Sequence, residues 1–321
     1  MDPKLVRLPP FILVSTFTLV LLPFLSPPAA SQLSSGFYSS SCPDVEVLVK
    51  DTVRSAYEID STIPAKLLRL LFHDCIVEGC DGSVLVEGNG TERSDPANKS
   101  LGGFYVVESA KRLLEFWCPG TVSCADILVL AARDAVELTG GPSVEIPLGR
   151  RDGVVSSAAS VRPNMVDTTF TVDQLAQRFS SKGLSMDDLV VLSGNPPDRF
   201  KQNADGTVVP ADASLERNYA MQLAKKCPVG ASDSVTASND PVTPSMFDNQ
   251  YYGNLLAKKG LFQSDSVLTA DARTKSKVEA LSRSQDAFFA SWAKSFVKLS
   301  TIGVKTGNEG VIRLFCASAT G

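Results

Sequence analysis

The chain has 321 residues, 44 % hydrophobic and 21 % charged, which is ordinary globular usage and excludes a disordered, collagen-like or coiled-coil protein. Its 31 basic residues against 35 acidic ones leave a net charge of −4, the wrong balance for a nucleic-acid binder. A single histidine excludes every zinc motif built on a histidine pair. Residues 1–31 read as a secretory signal peptide: Lys4 and Arg7 start it, Phe11 to Phe24 is an apolar run, and Ala29-Ala30-Ser31 supplies small residues for cleavage. An uncleaved anchor is the alternative, but the run is shorter than the roughly 20 apolar residues a span needs. No later segment is long and apolar enough to span, so the mature protein is expected to be secreted, with no membrane attachment after cleavage.

The rest of the pattern is mainly helical. Val45, Leu48, Val49, Val53, Ala56 and Tyr57 recur at helical spacing behind Pro43. Thr62 and Pro64 open a second helix through Leu67, Leu68, Leu71 and Phe72, and Phe104 to Cys118 is a third. Ser123-x-x-Asp126 caps a fourth that stops at Gly140-Gly141; Thr171-x-x-Gln174 and Ser185-x-x-Asp188 cap two more. Helices are predicted over Leu215 to Cys227, Phe247 to Lys259 and Ser284 to Leu299, with short strands at Val144 to Leu148 and Val311 to Leu314. One mainly α domain, possible in two lobes, fits this order.

The chemistry concentrates around the one histidine. Arg69 and His73 are four apart on the second helix and share a face. A cation beside an imidazole on an apolar helix is costly unless it serves a function, although a satisfied structural histidine near a helix end is the plain alternative. Asp74, Asp81 and Ser83 then offer hard oxygens within ten residues, and Gly79 and Gly82 let carbonyls turn inward. Such a loop suits calcium; a solvated acidic turn is the alternative. Cys75 and Cys80 are close enough to close it as a disulfide. Seven cysteines in an oxidising compartment should pair and leave one over.

At these residues the sequence resembles the class III secretory plant peroxidases. The matching stretches run in order along the mature chain: Gly36-Phe37-Tyr38 to Cys42-Pro43, Leu68 to Ser83, Val122 to Ile127, Pro147 to Gly153, Asp188 to Gly194, Phe247 to Tyr252, Gly260 to Asp265, and Thr306-Gly307 to Cys316. The resemblance implies a mainly α, two-lobed haem-peroxidase fold over residues 32–321. It implies an oxidoreductase that reduces hydrogen peroxide and oxidises small phenolic donors, with haem b and two calcium ions, acting as a monomer in the apoplast or cell wall. His73 matches the distal acid–base histidine, Arg69 the distal arginine and Asn98 the asparagine that sets the imidazole tautomer. Phe72 would shape the pocket, and Pro163 matches the proline whose carbonyl meets aromatic donors.

For the distal calcium, the resemblance gives the side chains of Asp74, Asp81 and Ser83 with the carbonyls of Val77 and Gly79. For the proximal one it gives Asp240, Thr243 and Asp248, with a carbonyl near Met246. It pairs Cys42 with Cys118, Cys75 with Cys80 and Cys124 with Cys316. Of two sequons, Asn98-Lys99-Ser100 should be buried, which leaves Asn89-Gly90-Thr91 as the glycan site.

One stretch departs from the family. Leu192-Ser193-Gly194 is followed at once by Asn195-Pro196-Pro197-Asp198-Arg199-Phe200, where the family carries a histidine and about a dozen further residues. That block supplies the proximal iron ligand, one proximal calcium ligand and a cysteine. The counts agree: one histidine instead of two, and Cys227 without its partner. Consecutive prolines cannot continue a helix interior. Asp265, which matches the carboxylate that holds the proximal imidazole, is expected to have lost its partner. Haem binding should therefore be impaired, because that histidine holds the iron and feeds it electron density. The alternative is a non-catalytic, calcium-stabilised secreted protein. No G-x-S-x-G, Walker A loop or G-x-G-x-x-G offers other chemistry.

Overall fold

A computed structural model describes residues 33–193, 215–226, 228 and 237–319. The signal segment, the Gly194–Asn195 junction and Cys227 lie outside the described residues.

Helix α1 (Val45–Ile59) buries Val45, Val49, Val53 and Ala56, one stripe at spacings of three and four. It lies against α3 (Phe104–Trp117) and α4 (Cys124–Leu138). Helix α2 (Ile63–Val77) carries Pro64 in its first turn, where a missing N–H costs nothing. Its partner α4 is buried from Cys124 to Val136 and forms the centre of this half. Ser123 caps α4 by accepting from the Asp126 N–H at 3.1 Å. The turn after it needs Gly141, since a Cβ there would meet Val136 and Phe247 at 2.3 and 2.7 Å.

The second half begins with α5 (Ala158–Asn164), α6 (Val172–Ser181) and α7 (Met186–Leu192). The boxes Thr171–Gln174 and Ser185–Asp188 open α6 and α7 as the sequence predicts. Then follow α8 (Arg217–Lys226), α9 (Gln250–Leu256), α10 (Gln263–Ala270), α11 (Ala272–Arg283) and α12 (Gln285–Ser300). Helix α12 packs on α7, α11 and α2 and so joins the two helical groups. Trp292 anchors it, stacked on Phe296 with centroids 4.5 Å apart and met edge-on by Phe247 at 4.9 Å.

The two predicted strands are reduced to single bridges, Ser34 with Leu148 and Asp152 with Val311. Pro147 lacks a ladder donor. The neighbouring backbone is held by buried charges instead: Arg150 donates to Asp126 at 2.8 Å, and the Arg313 N–H donates to Asp152 at 3.0 Å. Helix α9 starts at Gln250 rather than Phe247 because the Asp248 carboxylate takes the Gln250 N–H, as a cap would. Helices α5, α10 and α11 were not anticipated. Pro163 lies inside α5, and Asp271 ends α10 while its side chain caps α11.

Three disulfides tie the chain together: Cys42–Cys118, Cys75–Cys80 and Cys124–Cys316, with sequence separations of 76, 5 and 192. Closing the two long loops stabilises the fold by a few kcal/mol each in the chain-entropy account.

Candidate functional site

Helix α2 is apolar on nearly every face, with Leu67, Leu70, Leu71, Cys75 and Ile76 fully buried. The Arg69–His73 pair interrupts this surface. Arg69 Nε donates to His73 Nε2 at 3.4 Å, and Arg69 Nη2 donates to Ser100 Oγ at 2.9 Å. His73 is 7 % exposed, and its Nδ1 lies 2.7 Å from Asn98 Oδ1.

The orientation of Asn98 decides the tautomer. Its Nδ2 donates to the Glu92 carbonyl at 2.9 Å, so Oδ1 is the atom that faces His73. The carbonyl oxygen can only accept, so Nδ1 carries the hydrogen. Nε2 of the neutral ring then keeps its lone pair, consistent with the Arg69 donor on that side. The result is a buried base whose unprotonated nitrogen sits beside a fixed guanidinium. Phe72 is next along the helix, its ring centroid 6.2 Å from that of His73 and 6.3 Å from that of Phe179. It also packs against a small apolar cluster of Ile76, Val77, Val161 and Met165, and Pro163, inside α5, is exposed.

The loop after α2 gathers oxygen atoms. Asp74 is fully buried; its Oδ2 accepts the Gly82 N–H at 2.9 Å and its Oδ1 the Val84 N–H at 3.2 Å. Asp81 Oδ1 accepts the Ser83 N–H at 3.1 Å. Ser83 Oγ and both carboxylate oxygens of Glu92 are buried and make no well-formed hydrogen bond, although the Ser83 hydroxyl lies close enough to Glu92 to ease its burial. Burial, then the Asp81 charge, pushes the Asp74 carboxyl up to about 8; burial, then the Asp74 charge, pushes Glu92 up to about 9. Clustered acids with orphaned oxygens fit a hard divalent cation, which would reverse both shifts. Among the described residues no three acidic, histidine or cysteine side chains make a metal cage by themselves. The expected donor set is mixed, with a hydroxyl and two backbone carbonyls; of these, the Val77 carbonyl accepts from Lys182 Nζ at 2.9 Å and the Gly79 carbonyl from the Asp81 N–H at 2.8 Å. Sequence reasoning missed Glu92: its glutamate type gave no signal, and only the fold places it between this loop and Asn98.

The second oxygen set also converges. Thr243 Oγ1 lies 3.1 Å from both Asp240 Oδ2 and Asp248 Oδ1. Asp240 Oδ1 further accepts from the Val242 and Thr243 N–H groups and from Asn254. These acids are hydrogen-bonded within the protein, and this set is poorer in free oxygens than the loop after α2.

Asp265, expected to lack an imidazole partner, is held by other groups. Its carboxylate has partners: Tyr251 Oη donates to Oδ1 at 2.8 Å and the Phe262 N–H to Oδ2 at 2.9 Å. A tyrosine two residues after the recognisable Phe247-Asp248-Asn249 stretch reaches it because α9 and α10 pack together. Burial still raises this carboxyl to about 6.

The residues expected to serve the peroxide side of a haem are therefore assembled. The iron-ligand side does not fit: the only histidine is His73, already engaged by Asn98 and Arg69.

A family model described as peroxidase matches residues 49–284. The chain is 56 % identical to Peroxidase 18 of Arabidopsis thaliana over 97 % of each chain. It is 56 % identical to Peroxidase 46 of the same plant, over 90 % of this chain and 92 % of the relative. It is also 39 % identical to the basic peroxidase of Zinnia elegans over 90 % of each. The mainly helical fold, the placement of the matching motifs and these likenesses agree: the chain belongs to the peroxidase family, with the class III plant peroxidases.

Proposed function

We propose that this chain is a secreted plant peroxidase whose acid–base half is complete and whose iron-binding half is impaired. The observation that carries the reading is the ordered chain Glu92–Asn98–His73, which fixes a lone pair on Nε2 next to Arg69. His73 Nε2 would accept a proton from hydrogen peroxide and return it to the departing oxygen. Arg69, anchored on Ser100, would stabilise negative charge on that oxygen. Phe72 and Pro163 would border the path of a small phenolic donor.

Haem, when bound, supplies the iron through which peroxide is reduced at the donor's expense. No second histidine exists to hold that iron. Asp74, Asp81 and Ser83, with the Val77 and Gly79 carbonyls, would hold one calcium ion and keep the end of α2 in place. Asp240, Thr243 and Asp248 would form an incomplete second site.

The mature domain would begin at residue 32, act as a monomer and reside in the apoplast or cell wall. No helix of the described residues is long and apolar enough to cross a membrane. The Tyr251–Asp265 contact favours the second reading, a calcium-stabilised protein without turnover, because the carboxylate that would orient a proximal imidazole is already satisfied.

Oxidation of guaiacol by the purified chain, with His73→Ala beside it, tests the function. Impairment predicts only a small peroxide-dependent rate that His73→Ala abolishes. Equal rates in both proteins would remove the catalytic claim and leave the scaffold reading.

A further inference from the structure

We propose that Lys305 is a built-in cation of the loop after α2: it holds Asp81 when calcium is absent and competes with calcium for the same carboxylate. The inference rests on the calcium reading of Asp74, Asp81 and Ser83. Lys305 Nζ lies 2.5 Å from Asp81 Oδ2, and the Asp81 side chain is 1 % exposed against 31 % for Lys305. The other carboxylate oxygen is taken by the Ser83 N–H. Asp81 therefore has no oxygen free for a metal unless a contact is given up or shared.

The contact is built into the backbone. The Lys305 carbonyl accepts the Arg151 N–H at 2.8 Å, and the Ile302 carbonyl accepts the Cys80 N–H at 2.8 Å. Between these bonds, Gly303 approaches Gly79 so closely that a Cβ on Gly79 would lie 2.6 Å from the Gly303 oxygen. Residues 302–305 are thus pinned to the loop, and the ammonium is delivered to Asp81 by the fold. Gly153 leaves room for this carboxylate: a Cβ there would lie 2.2 Å from Asp81 Oδ2.

An ammonium satisfies only part of the site. It leaves Ser83 Oγ and the Glu92 carboxylate with no well-formed partner beyond each other, groups that a divalent ion could recruit directly or through water. The half-exposed stem of Lys305 gives the ammonium somewhere to go when calcium arrives. A monovalent and a divalent cation within a few ångströms of each other repel, so Lys305 weakens calcium binding while it steadies the calcium-free loop. This chain should keep its loop ordered at calcium levels where a neutral residue at 305 would let it open.

The test uses the full mature chain and calcium alone. Lys305→Met and Lys305→Gln remove the charge, and Lys305→Arg keeps it. All are folded in saturating calcium, then compared by calorimetric calcium titration and by melting in calcium and in chelator. The neutral variants should bind calcium at least about tenfold tighter and melt lower than the parent in chelator, with Lys305→Arg like the parent. Asp81→Asn should abolish the calcium response. Unchanged calcium affinity and unchanged chelator melting in both neutral variants would overturn the role of Lys305 while leaving the calcium loop standing. No calcium binding in parent or variants would overturn the calcium reading itself, and the competition with it.

Discussion

Tyr251 donates its phenolic hydrogen to Asp265 at 2.8 Å, across the α9–α10 contact and inside the core. The carboxylate also takes the Phe262 N–H, so it is fully occupied by the protein's own donors. Burial nevertheless holds its folded pKa at about 6, above the ordinary carboxylate value of 3.8. A group raised in this way favours the fold below its unfolded pKa and loses that contribution as pH rises through the folded one. Between pH 4 and 7 the parent should lose up to about 3 kcal/mol from this group alone. Urea unfolding across that range should show a shallower pH slope for Asp265→Asn than for the parent. Identical slopes would show that Asp265 ionises normally.

The His73 tautomer can be read directly, because the chain has a single histidine. Nitrogen-15 NMR of imidazole-labelled protein should show a protonated Nδ1 and an unprotonated Nε2 in the neutral ring. Asn98→Ala removes the acceptor that selects this form and should let both tautomers populate. A parent with Nε2 protonated would contradict the assigned Glu92–Asn98–His73 chain.

Chelation should destabilise the calcium-loaded protein. Without the ion, Asp74, Asp81 and Glu92 share one buried region, offset in part by Lys305 on Asp81 and by the Arg313 charge near Asp74. A fall in melting temperature of at least about 3 °C is predicted, reversed by added calcium. A melting temperature indifferent to chelator would contradict the calcium reading.

Glycan attachment separates the two sequons. Asn89 is exposed, whereas Asn98 is 1 % exposed and hydrogen-bonded on both sides of its amide. Intact mass of secreted protein should show one glycan lost on Asn89→Gln. A glycan on Asn98 would be incompatible with its contact to His73.

Much of this site was legible in the sequence because it depends on short-range geometry. Arg69 and His73 share a face at any helical spacing of four, and Asp74, Asp81 and Ser83 sit on one short loop. The boxes at Thr171 and Ser185 likewise name their own helices. Glu92 and Lys305 were not legible, since both act only through contacts the fold creates, Lys305 from 224 residues away. The Tyr251–Asp265 pair escaped for the same reason. The strand at Val311 was misread because buried charges at Asp152 and Arg313 replace a ladder there. Helix α5 escaped because Pro163 argues locally against a helix.

The central claim is that a complete acid–base half stands without an iron ligand. The absorption spectrum of this chain, folded with calcium and supplied with haem, tests it most directly. The account predicts only a weak, broad Soret absorption from a minor bound fraction, with a correspondingly small response to peroxide, although the protein is folded and binds calcium. A sharp Soret band that shifts with peroxide, and no longer does so in His73→Ala, would show that a substitute ligand holds the iron and would contradict the account.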